Sequence, residues 1–302
     1  MDRELILVTG GEGFIGHYVR QALLAKGAIV ISADLKPPDQ ISGHCYCCDI
    51  TAGKQVDELF DTHQISCVVH LASWLRTASI ENPVRATQAN VLGTLNILEA
   101  ARKFHVRRVV YASSASIYGS KAHNRNISEE ESTSPEDLYG ASKKYSELLG
   151  QTYMRNYGIE FVALRIPIVI GAGSTATPSP WRSDIFESLA AGHKQQIAIP
   201  FKEDETLTLV HVEDLADAIL RLVEVESLSC TCYNAPGEIW QLNALKKEIQ
   251  TLNTKIDIRF GEVVVSGFPR RMTSDRFKKD CNYLPKPIKT RLRDALRPAG
   301  VL

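Results

Sequence analysis

The sequence predicts an α/β protein with a doubly wound parallel sheet, and three observations carry that expectation. Short apolar runs alternate with stretches of helical periodicity through residue 166. The first run, Leu5-Ile6-Leu7-Val8, leads through Thr9 straight into Gly10, Gly13 and Gly16 and then into a helical pattern. Beyond Gly171 the pattern changes to Ala172-Gly173-Ser174-Thr175-Ala176-Thr177-Pro178-Ser179-Pro180, a loop that opens a second, smaller lobe. The architecture expected is a Rossmann-type sheet with a smaller, discontinuous C-terminal substrate lobe. Residues 1–171 form the dinucleotide-binding domain, with 205–234 returning to it, and 172–204 with 235–302 form the lobe.

The first βα unit is the most informative. Gly10 permits a tight strand-to-helix turn, Gly13 leaves room for phosphates to approach the backbone, and Gly16 lets the helix pack close to the strand. A helix start there presents unpaired N–H groups to an anion, which makes it a site for a dinucleotide pyrophosphate. The helix runs to Gly27 and a second buried strand covers 28–33, closing a βαβ unit. Asp34 follows at the offset where a carboxylate meets the adenosine ribose hydroxyls and repels a 2′-phosphate, favouring NAD over NADP, with Lys36 near enough to soften that preference. A turn residue before Pro37-Pro38 is the plainer reading of Asp34.

The alternation continues with a strand at 44–48, a helix at 53–63, a strand at 66–71, one long helix at 83–105 and a strand at 108–113. A helix at 138–157 and a strand at 160–166 complete the main sheet. The second lobe then shows a helix at 182–192, while an apolar strand at 207–212 leads into a helix from Asp214; another helix covers 242–252. Cys45, Cys47 and Cys48 lack the paired spacing of a zinc site and read as reduced strand residues, Cys45 and Cys47 on one face and Cys48 on the other, so no metal is expected. The basic C-terminal stretch from Arg270 to Arg297 reads as a solvated face, with an anion-binding role for Arg270 or Arg271 as the alternative.

Composition excludes whole function classes. Thirty-five basic and thirty-five acidic side chains cancel among 302 residues, so no global field draws the chain to nucleic acid or a membrane surface, and a small-molecule ligand is expected. No apolar run approaches the roughly 18 residues that span a bilayer, and no leader precedes the first strand, which points to the cytoplasm.

The chemistry sits on Tyr139-Gly140-Ala141-Ser142-Lys143, where a four-residue spacing puts a phenol and an ammonium on one helix face. A cation beside a phenol favours phenolate, so Tyr139 can serve as a base. The strand ending in Ser113-Ser114 brings Ser114 to the C-terminal sheet edge, where it can hold the substrate oxygen.

These residues resemble an extended short-chain dehydrogenase/reductase of the NAD-dependent epimerase/dehydratase family. The likeness spans the glycine turn, Asp34, Asp49-Ile50, His70-Leu71-Ala72, Asn90-Val91-Leu92-Gly93-Thr94, Ser113-Ser114, Tyr139 with Lys143, Leu164-Arg165 and Val210-His211-Val212-Glu213-Asp214. The resemblance implies that Phe14 and Ile15 flank the pyrophosphate, Asp49 and Ile50 border adenine, and Leu71 and Ala72 run along the NAD cofactor. It places Lys143 on the nicotinamide ribose, makes Ser114 and Tyr139 the catalytic pair, and leaves His211 and Asp214 structural. It also implies a homodimer through the helices at 83–105 and 138–157.

Departures from the family pattern shape the substrate expectation. Ser114 is followed by Ala115-Ser116 rather than the Asp-Glu pair of sugar-nucleotide dehydratases. Pro167-Ile168-Val169-Ile170-Gly171 and Leu207-Thr208-Leu209 replace segments that many epimerases use, the second of which carries an arginine for the diphosphate. Arg76, Arg182 and Arg270 are the candidate anion holders. The leading expectation is an NAD-dependent epimerase of a sugar nucleotide or related carbohydrate. An NAD-dependent dehydrogenase of a sugar acid or small hydroxy compound is the alternative, and a non-catalytic NAD-sensing protein the third reading.

Overall fold

The computed structural model describes residues 4–35, 44–120, 125–173, 179–192 and 195–296. Lys36, the Pro37-Pro38 turn, 174–178 of the expected loop and Arg297 lie outside the described residues.

The main sheet has seven strands in the order β10-β6-β5-β4-β1-β2-β3, every neighbouring pair parallel. Its strands are β1 (Leu5–Thr9), β2 (Ile29–Asp34), β3 (Cys45–Cys47), β4 (Cys67–His70), β5 (Arg108–Ser114), β6 (Glu160–Ile166) and β10 (Cys232–Asn234). The strand order reverses between β1 and β4, and a crevice opens there at the carboxyl ends of the strands. One apolar layer packs α1 (Phe14–Ala25) and α8 (Val212–Glu224) onto one face, through Val19, Leu23, Leu215 and Ile219. A second packs α2 (Gly53–Thr62), α5 (Thr94–Lys103) and α6 (Leu138–Tyr157) onto the other, through Phe60, Ile97 and Phe161.

The smaller lobe holds a three-stranded sheet, β11 (Glu238–Gln241), β9 (Thr206–His211) and β7 (Ile168–Ile170), and a parallel pair, β8 (Gln195–Phe201) with β12 (Ile256–Val263). Their core joins α7 (Trp181–Ala191), α9 (Leu242–Leu252) and α11 (Ile288–Asp294) around Trp181, Ile185, Leu245 and Leu292. Among the described residues no helix is long and apolar enough to cross a membrane.

Two expectations need correcting. The helix expected at 83–105 is helical without a gap over 83–103, but its middle is not α-helical: a π-helical segment (Gln88–Gly93) lies between α4 (Pro83–Thr87) and α5, and a separate α3 (Arg76–Glu81) precedes it. Asn82 accepts from the backbone N–H of Arg85 and Pro83 opens α4, so a helix boundary falls where proline tolerates one. The cysteines lie as expected, Cys45 and Cys47 two apart in β3 and Cys48 packed into the second apolar layer, although their burial differs: Cys45 and Cys48 are buried and Cys47 is exposed. The basic C-terminal stretch is not uniformly solvated, because Arg291 is 6% exposed and makes a two-pronged pair with Asp214 at 2.8 Å on both prongs.

Another buried pair fixes the catalytic end of α6. Glu147 is fully buried and accepts from Arg165 Nε at 3.0 Å and Nη2 at 2.9 Å, and from the Ser113 hydroxyl at 2.6 Å. Arg165 also donates to the Tyr118 hydroxyl, which donates to Asn234 Oδ1 at 2.8 Å, so β5, β6, β10 and α6 share one network. Removing one member strands a charge in a dry interior. Glu147→Ala is therefore expected to cost about 3–5 kcal/mol of stability, read as a large fall in the urea midpoint; a change under about 1 kcal/mol would show that the interior readmits water there.

Candidate active site

The β1–α1 turn is built by steric exclusion. Gly10 has φ +69°, and a Cβ there would lie 2.8 Å from the Ala72 nitrogen; a Cβ on Gly16 would lie 2.2 Å from the Gly10 carbonyl oxygen. Only glycine fits both positions. Gly13 caps α1 without any side-chain hydrogen bond, so the first-turn N–H groups of the helix remain available at the cleft. Asp34, at the end of β2, accepts from the Glu12 backbone N–H at 3.2 Å. Glu12 is a residue that the sequence reading passed over. It accepts from Ser32 at 2.6 Å and pairs with Arg20, which also donates to the Gly11 carbonyl, so the turn is tied to both β2 and α1. A carboxylate inside a glycine turn, eight residues before an arginine on the following helix, was the available signal.

One cleft of about 910 Å³ runs from this turn to the end of β5. Gly10, Gly13, Phe14, Ile15, Gly16, Asp34, Asp49, Ile50, Leu71 and Ala72 line it, as do Ser114, Tyr139, Lys143, Arg76 and Arg182. Arg270 does not: it pairs with Glu205 at 2.8 Å, away from the cleft. Arg76 is engaged too, donating to Asp137 Oδ2 at 2.5 Å and to the Ser266 carbonyl at 2.9 Å. Arg182 differs. Its Nε is buried without a hydrogen-bond partner, and among the described residues no carboxylate pairs with it.

Asp137 caps α6 by accepting from the Gly140 N–H at 2.7 Å, which starts the helix at the place that aims Tyr139 and Lys143 into the cleft. The Lys143 ammonium donates to the Ala112 carbonyl at 2.7 Å and sits 4.8 Å from the Tyr111 ring centre and 5.6 Å from that of Tyr139. Ser114 accepts from the Ser116 N–H at 3.1 Å and reaches the Tyr139 hydroxyl. Burial pushes the Tyr139 phenol up to about 12 and Asp137 adds to the rise, while Ser114 and Arg182 oppose it. Arg182 is thus a second cation acting on the phenol, beside the Lys143 that the sequence suggested, whose ammonium lies 5.6 Å from the ring centre.

Asn90, in the π-helical segment, was legible as part of a motif but not as a brace. It accepts from the Trp74 N–H at 2.8 Å and donates to the Trp74 carbonyl and to Ser142, bolting the loop after β4 to α6. Next to it His70 is held by Thr9 at 2.6 Å and Thr94 at 3.1 Å, and burial pushes its imidazole down to about 3, with Lys143 adding to the fall. It stays neutral under the cleft floor.

Burial also pushes Lys143 down to about 7 from 10.5, against the pull of Glu147. Between those two values the unfolded chain holds a proton that the folded one lacks, so folding gains stability as pH rises through that window. Relative to Lys143→Met, the cofactor-free protein should therefore gain thermal stability between pH 7 and pH 10. Parallel pH profiles of the two melting curves would put the amine in contact with water.

The comparisons with known proteins agree with this geometry. A family model described as the NAD dependent epimerase/dehydratase family matches residues 6–234. The mitochondrial L-threonine 3-dehydrogenase of Bos taurus is 24% identical, over 96% of this chain and 82% of that protein. A putative UDP-glucose 4-epimerase of Methanocaldococcus jannaschii is 32% identical over 72% of each. The structure of a Thermus thermophilus UDP-glucose 4-epimerase in complex with NAD superimposes with a TM-score of 0.83 at 25% identity, covering 98% of this chain and 99% of that one. With a turn that only glycine allows, an uncapped helix N-terminus and a matching family model over most of its length, the chain belongs to the NAD-dependent epimerase/dehydratase family and takes NAD as its cofactor.

Proposed function

We propose that this enzyme is an NAD-dependent dehydrogenase of a small secondary alcohol bearing a carboxylate, which places net oxidation ahead of sugar-nucleotide epimerisation. The state of the arginines carries this order. Arg76 is paired with Asp137 and Arg85 is exposed at the rim, so among the described arginines that line the cleft Arg182 is the one beside Tyr139 that has no carboxylate partner and keeps a buried Nε without a hydrogen bond. One planar guanidinium matches one carboxylate, whereas a nucleoside diphosphate calls for several cations. The likeness to L-threonine 3-dehydrogenase, which extends over nearly the whole chain, supports the same reading.

In this mechanism Arg182 holds the carboxylate and turns the alcohol toward Tyr139. Ser114 donates to the hydroxyl oxygen, and Tyr139 as phenolate takes the hydroxyl proton. NAD, when bound, accepts the hydride that the carbinol carbon releases. Lys143, protonated, holds the cofactor ribose and stabilises the phenolate across the 5.6 Å that separates it from the ring. Because burial raises the phenol, oxidation should quicken as pH rises above neutral.

We further propose a homodimer, with the π-helical segment and α6 forming the shared face: Leu92, Tyr145, Leu148 and Tyr157 are each about half exposed on these neighbouring helices. The seven unpaired cysteines fit the reducing cytoplasm.

A panel of 2- and 3-hydroxy acids, L-threonine included, should give stoichiometric NADH with at least one member, while UDP-glucose should be recovered without change at its C4 carbon. Epimerisation of UDP-glucose would remove the dehydrogenase reading. Tyr139→Phe should keep NAD affinity and lower turnover by roughly 100-fold or more; unchanged turnover would take Tyr139 out of the mechanism. Sedimentation should show a dimer at micromolar concentration, and Leu148→Lys should shift it to monomer; a wild-type monomer would refute the assembly.

A further inference from the structure

We infer that the substrate carries, besides its carboxylate, an alkyl or aryl group several carbons long that packs on the outer wall of the cleft. This deepens the carboxylate reading of Arg182 and rests on it. The wall consists of Trp74 and Leu75 in the loop before α3, Phe201 at the end of β8, and Val263, Val264 and Phe268 at and after the end of β12, all lining the same cleft as Tyr139. Leu75, Val263 and Val264 are 48%, 51% and 50% exposed. Isolated half-exposed apolar side chains are ordinary, but three of them gathered with three aromatic rings around a catalytic cleft form a surface suited to an apolar ligand.

The wall is a built part of the site. Val263 pairs with Phe201 in the β8–β12 ladder, which places their side chains next to each other. Arg76 donates to the Ser266 carbonyl and the Gly267 N–H donates to Ser120 at 2.6 Å, which fastens the segment after β12 to α3 and to the chain just beyond β5. Phe268 packs against the cluster of Ala115, Ile117, Tyr118, Ile127 and Met272, the first three of which form the turn that follows Ser114 directly. The apolar surface therefore begins at the residue that holds the substrate oxygen and extends outward.

Its chemistry also speaks against a sugar ring there. Hydroxyl-rich substrates are held by carboxylates, amides and free arginines, and none of the six wall residues is one of these. The nearest guanidinium on this wall, that of Arg76, is already paired. Such a surface binds methylenes or an aromatic ring, and burial of each methylene improves affinity roughly fourfold.

The test uses the full chain loaded with NAD and a ladder of straight-chain carboxylates, acetate, butyrate, hexanoate and octanoate, with UDP as the competing probe, all by calorimetry. Affinity should climb roughly fourfold per added methylene until the wall is covered. Arg182→Gln should weaken every rung by a similar factor and keep the slope, while Val264→Ser, at an exposed position that leaves folding intact, and Phe268→Ala should flatten it. A ladder without slope, or UDP binding more tightly than octanoate, overturns the inference. A sloped ladder with no NADH from any hydroxy acid would uphold the apolar occupant and reject the dehydrogenase reading; a flat ladder with NADH formed from L-threonine would do the reverse.

Discussion

The constraint on which this site depends is the burial of an amine. Lys143 is only 2% exposed, reaches the Ala112 carbonyl and lies between two aromatic rings. Desolvation costs a charge heavily, and here it has two linked effects: it brings the lysine near neutrality and holds the Tyr139 phenol high. The unliganded cleft is therefore electrostatically quiet. In the mechanism proposed above, the positive charge of the bound cofactor and the substrate-facing Arg182 oppose that desolvation and favour the phenolate on Tyr139.

Quiet chemistry needs a rigid frame, and the frame is made from paired charges buried away from the cleft. Glu147 with Arg165 ties α6 to the sheet, Asp214 with Arg291 ties α8 to α11, and Arg108 donates to the carbonyls of Leu222, Val223 and Val225 where α8 ends. The last two join elements far apart in sequence, by 77 residues for Asp214 and Arg291 and by 114 for Arg108 and Leu222, while Glu147 and Arg165 bind consecutive elements 18 residues apart. Such pairs add little net stability compared with well-packed apolar residues, but they tolerate only one geometry. Position is what they supply, and a proton-transfer pair needs position above all.

Much of this was legible in the sequence because its signals are local. The glycine turn, the short apolar strand runs and the helical periodicity of α6 each report on neighbours within a few residues, and α6, β6 and α9 fall at the limits read from the sequence. The π-helical segment was missed because it keeps helical periodicity while shifting register, so Asn90 gains its bonds to Trp74 without leaving a compositional mark. Arg76, Arg182 and Arg270 were indistinguishable as letters. Only the fold shows that Glu205 and Asp137 have claimed two of them, since those partners lie 65 and 61 residues away along the chain.

Arg76 also gives the cleft a mechanical property. One guanidinium bonds both to Asp137, the residue that starts α6, and to the carbonyl of Ser266, in the segment that bears the outer wall. Any displacement of this wall would have to pull on the first turn of the helix that bears Tyr139. The outer wall and the start of α6 are thus coupled mechanically through a single side chain.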